Sequence, residues 1–93
     1  MEVQQEDNGK KGAFFMESEG ERLASMTYTW AGPNKMIIDH TEVDDGLRGQ
    51  GAGKKLLMQL VFFAREKNKK VLPLCPFANS VFQKQPDIQD VLS

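Results

Sequence analysis

The sequence is short of reactive and metal-binding side chains, with one cysteine, one histidine, one tryptophan and one tyrosine in 93 residues. A lone Cys75 excludes an intrachain disulfide. One cysteine with one histidine, His40, cannot assemble a Cys/His zinc site, so no metal is expected. The scarcity of cysteine favours a reduced, intracellular setting, and a cytoplasmic location is expected. Net charge is also scarce. Twelve basic residues against thirteen acidic ones leave −1, which supplies no global attraction to DNA, RNA or an anionic membrane. No apolar run approaches the ~20 residues of a membrane span. Met1 to Gly12 is polar and lacks the apolar centre of a signal peptide.

Hydrophobic residues at 40% and charged residues at 27% are ordinary for a globular domain. A chain this short hides roughly 60–65% of its extended surface on folding, enough for one thin core. Residues 1–10 are polar and predict a tail, leaving 11–93 as a single domain. Lys11–Ser18 has strand character and ends at a Glu19-Gly20 turn. Arg22–Trp30 alternates, with Ala24, Met26, Tyr28 and Trp30 on one face. Ala31-Gly32-Pro33-Asn34 is a second turn, and Lys35–Val43 a third strand. Phe14, Phe15, Met26, Tyr28 and Trp30 are the expected sheet core.

The period then changes. Ala52–Asn68 carries Leu56, Leu57, Leu60, Val61 and Ala64 at helical spacing. Met58 and Phe62 fall off that stripe. They read as solvent-side scatter, with a self-association surface as the alternative, so a monomer is expected and a weak dimer is the second reading. Val71–Cys75 is a short fourth strand whose Pro73 demands an edge position or a splay. Asn79–Gln85 predicts a short helix stopped by Pro86. The fold class is therefore α+β with an α/β-like core: a three-stranded antiparallel meander, then a βαβ unit with a splayed parallel pair, then a short C-terminal helix.

Arg48-Gly49-Gln50-Gly51-Ala52-Gly53-Lys54 lies between a strand and a helix. The first amides of a helix lack internal partners, and glycines let an anion approach them, so this loop reads as a phosphate or pyrophosphate site. It is not a nucleotide-hydrolysing loop, because Lys55 stands where a magnesium-binding hydroxyl is needed. It is not a dinucleotide fingerprint, because Lys54 replaces the third glycine.

Val43, then Arg48-x-x-Gly51-x-Gly53, resembles motif A of the GNAT N-acetyltransferase superfamily. Asn79 to Lys84 is similar to a shortened motif B. Ile38 to Val43 and Leu74 to Ala78 extend the resemblance to the small Yjdj-type branch, over about Lys11 to Val91. The resemblance implies a minimal GNAT fold and an acetyl-CoA-dependent N-acetyltransferase. The pyrophosphate would lie on Arg48, Gly49, Gln50, Gly51, Ala52, Gly53 and Lys54. The pantetheine arm would pair with the backbone of Thr41 and Val43, and Asn79 and Phe82 would border the coenzyme. Longer members cover the acceptor with helices between their first strands, and Glu19-Gly20 replaces those helices here. The acceptor is expected to be an amine in an open site. The alternative is a coenzyme A-binding or regulatory module without transferase activity.

Acetyl transfer to an amine needs a proton acceptor. An imidazole ordinarily titrates at about 6.5 and suits that work at neutral pH, which nominates His40, with Glu42 two residues on. Cys75, at the carboxyl end of the fourth strand, is the candidate proton donor or acetyl carrier.

Overall fold

The computed structural model describes residues 2–93. Five strands form one sheet in chain order: β1 (Gln4–Asp7), β2 (Lys11–Ser18), β3 (Glu21–Trp30), β4 (Lys35–Val43) and β5 (Lys70–Pro73). The first four are antiparallel to their neighbours, and β5 runs parallel to β4. Helix α1 (Ala52–Lys67) connects β4 to β5, and α2 (Pro76–Lys84) follows β5. A 3-10 turn, Pro86–Val91, returns the chain to the outer edge of β5, where the Ser93 amide donates to the Val71 carbonyl at 3.0 Å. This is the α+β architecture that the change of hydrophobic period implies. Among the described residues, no helix is long and apolar enough to cross a membrane.

The period-two pattern of β3 buries Ala24, Met26 and Tyr28 on one face. With Phe14, Met16, Met36 and Ile38 they meet the stripe of α1, where Leu56, Leu57 and Leu60 are fully enclosed. Burying each such leucine stabilises by about 1.5–3 kcal/mol. Asn68 ends α1 in the left-handed conformation (φ 58°), and the Lys69 amide donates back to the Ala64 carbonyl at 2.7 Å. The helix therefore stops within two residues of β5. Phe15, expected in this core, lies on the opposite face of the sheet, with the Arg22 guanidinium 3.8 Å above its ring. Trp30 is only half-buried.

The polar segment expected as a tail instead contributes β1, the edge strand of the sheet. It carries no apolar pattern, because backbone pairing and polar side chains hold it. The Tyr28 hydroxyl donates to Asp7 Oδ2 (2.7 Å), Trp30 Nε1 donates to the same oxygen (2.8 Å), and Gln5 Nε2 donates to the Tyr28 hydroxyl (2.9 Å). Arg22 pairs with Glu6 at 3.0 Å on the other face. Gly12 leaves room for the Tyr28 ring: a Cβ there would press on that ring and lie 2.6 Å from the Glu6 carbonyl.

Candidate active site

Pro73 and Ile38 form the last pair of the parallel ladder. Proline has no amide to continue it. The Leu74 and Cys75 amides both turn to the Ile38 carbonyl, each at 3.1 Å, and the chain enters α2 at Pro76, three residues earlier than expected. β4 runs on past the end of β5 through Asp39–Val43, paired there with β3 only. A bulge facing Thr27 and Tyr28 leaves Asp39 without a cross-strand partner. Beyond it, the Asp44 amide donates to the Leu23 carbonyl at 2.7 Å. Strand alternation then turns the peptide groups of Thr41 and Val43 away from β3, toward the gap that β5 has vacated.

The glycine-rich loop sits beside that gap. Gly49 (φ 79°) and Gly51 (φ 73°) occupy the left-handed region, and Gly51 caps α1 without a side chain. The first helical bond runs from the Lys55 amide to the Gly51 carbonyl at 3.0 Å. The amides of Ala52, Gly53 and Lys54 therefore have no intrahelical acceptor. They border a cleft of about 360 Å³ whose walls include Thr41, Val43, Arg48, Gly49, Gly51, Ala52, Gly53 and Lys54. Eight residues predicted for coenzyme binding thus come together. The Arg48 side chain, exposed and paired with Asp45 at 3.0 Å, stands at its mouth.

Three others do not join them. The Gln50 side chain donates to the Gly46 carbonyl (3.1 Å) and lines a separate depression with Val3 and Met58. Asn79 is exposed on α2, outside the cleft walls. Phe82 is 1% exposed and belongs to the core, because it follows Ala78 by one helical turn on the buried face of α2. The aromatic side chain that does line the cleft is Phe77. It precedes the motif B residues, and its only sequence signal was its place within the Leu74 to Ala78 segment.

The bulge at Asp39 also sorts the chemical groups. Met36 and Ile38 point to the core; past the bulge, Thr41 and Val43 take that side, and His40 and Glu42 project from the open face. Asp39 shares that open face, its carboxylate accepting from the Thr29 hydroxyl at 2.6 Å. A depression of about 890 Å³ spreads over this face and includes Glu6, Lys11, Thr29, Asp39, His40 and Leu74. Cys75 lies on the other side, buried, with its sulfur 3.2 Å from the Thr41 hydroxyl. β4 and β5 are adjacent parallel strands, but His40 and Cys75 flank the gap beyond Pro73 from opposite faces. Burial, then the hydrogen bond to Asp7, pushes the Tyr28 hydroxyl far above its ordinary range, so the chain's one tyrosine stays protonated and structural.

A strand that outruns its parallel neighbour, beside bare amides at a helix start, is the arrangement that the resemblance to the GNAT class implies. The family model for GCN5-related N-acetyl-transferases matches residues 13–91, and the chain belongs to this family. A GCN5-like protein of Staphylococcus aureus, known from a solution structure, is 39% identical and superposes with a TM-score of 0.73 over 97% of this chain and 87% of its own. Two longer structures share the fold. The ribosomal-protein-alanine N-acetyltransferase of Brucella melitensis has a TM-score of 0.68 at 18% identity, over 83% of this chain and 62% of that one. The ribosomal-protein-S18-alanine N-acetyltransferase of Escherichia coli has a TM-score of 0.68 at 14% identity, over 84% and 53%. The chain thus spans little more than half the length of these longer enzymes. No curated protein matches it at a significant level.

Proposed function

We infer that the protein transfers an acetyl group from acetyl-CoA to an amine. The observation that carries this is the meeting, in one cleft, of the unpaired amides at the start of α1 and the peptide groups of Thr41 and Val43. The residues present suit the coenzyme: open backbone above Gly49 and Gly51 accepts a bulky anion, and Arg48 and Lys54 add positive charge. When bound, acetyl-CoA supplies the acetyl group already activated as a thioester.

The chain's own groups divide the remaining work. The amides of Ala52, Gly53 and Lys54 hold the pyrophosphate. The outward peptide groups of Thr41 and Val43 fix the arm as a neighbouring strand would, and an amide there donates to the oxygen that gains charge. His40, with Glu42 beside it, accepts the proton that an incoming ammonium must lose. Both stand on the open face from which an acceptor can approach. Cys75, held against Thr41, keeps a thiol proton or a nucleophilic sulfur on the far side of the gap.

Calorimetry with acetyl-CoA, together with amide shifts at Gly49 to Lys54, tests the coenzyme half. Absence of both would overturn it. Across a panel of amines, peptides and polyamines, His40→Gln is expected to lower kcat by roughly 10²–10⁴-fold with coenzyme affinity unchanged. Tight coenzyme binding with no acetylation of any amine would instead favour a coenzyme-binding module.

A further inference from the structure

We propose that Phe77 is the specificity wall of the cleft, retaining ligands that carry the pantetheine arm over those that offer only a diphosphate. This rests on the acetyl-CoA reading above. Phe77 is the second residue of α2, brought to the cleft because the chain leaves β4 after Pro73. Its ring lies on the first turn of α1, so close that a Cβ at Gly53 would stand 2.9 Å from it. Gly53 lies within α1 and outside the positive-φ set. A side chain at position 53 would therefore meet the ring and push it aside, rather than strain the backbone.

The ring is also 40% exposed, one of three large apolar side chains so placed among the described residues, and of these three only Phe77 faces this cleft. With Val43 and Leu47 it forms an apolar throat between the loop amides and the edge of β4. A diphosphate at the amides has no apolar surface to bury there. The arm, with its dimethyl carbon and methylenes, does, and it must pass this throat to reach Thr41.

Titrations of the full chain with CoA and with ADP, which has the diphosphate and no arm, separate the two ends. The readouts are calorimetry and amide shifts. Phe77→Ala is expected to weaken CoA binding roughly tenfold, the loss of a half-buried benzyl group, and to leave ADP within about twofold. Phe77→Leu should recover most of the loss. Gly53→Ala should weaken CoA in the unsubstituted chain and add little to Phe77→Ala, where the ring it strikes is gone. Thermal melts check that each variant is folded. Unchanged CoA affinity in Phe77→Ala, or an equal loss for ADP, overturns the proposal. Failure of the unsubstituted chain to bind CoA overturns the acetyl-CoA reading, and this proposal with it.

Discussion

Asp7 fastens the first strand to the sheet, and its chemistry makes that attachment sensitive to acid. Partial burial opposes its ionisation. Hydrogen bonds from Tyr28, the Gly9 amide and Trp30 outweigh that and hold the carboxyl below the usual carboxylate value. A depressed carboxyl stabilises fully above its unfolded pKa, and the contribution is lost as pH falls through the folded value. Fluorescence of Trp30, the only tryptophan and a direct donor to Asp7, should therefore titrate below about pH 4, and Asp7→Ala should abolish that transition. Gly12 is the second strict position. Gly12→Ala drives a methyl into the Tyr28 ring and should cost about 1–3 kcal/mol, read as a lower Tm.

At the level of elements, the loop and α1 act together, and Gly51 is where they join. An L-residue at its φ of 73° costs about 1–2 kcal/mol, relieved by turning the neighbouring amides. Gly51→Ala should keep the fold and weaken CoA by about tenfold or more in calorimetry. Much of this level is legible in the sequence. The stripe Leu56, Leu57, Leu60, Val61, Ala64 fixes the buried face of α1, and Pro73 correctly announces the splay. β1 is not legible, because hydrophobic alternation says nothing of a strand held by Asp7, Glu6 and its backbone. Phe82 shows another limit: motif spacing places it on a helix, whereas packing around Ala78 decides which way that helix faces. The bulge is a third case. Plain alternation would set His40 and Glu42 on the side of Met36 and Ile38, and one extra residue, Asp39, sends them to the other.

Across the whole molecule, the sheet divides the labour. Helices and core fill one face, the cleft proposed for the coenzyme lies at the end where β4 and β5 part, and the opposite face stays open. The Glu19-Gly20 turn, with φ of 52° and 79°, joins β2 directly to β3 with no intervening helix. The parting of the strands has a consequence for folding as well as for binding. Asp39–Val43 is a stretch of sheet edge that β5 leaves unpaired. On the function proposed above, a coenzyme pairing with this edge would act as a missing segment of the fold, supplied from solution. At a hundredfold excess over Kd such a ligand stabilises by about 2.7 kcal/mol, which should raise the Tm by roughly 10 °C or more in a melt with CoA and without any acceptor. The melting temperature of the protein would then report how fully that open edge is occupied.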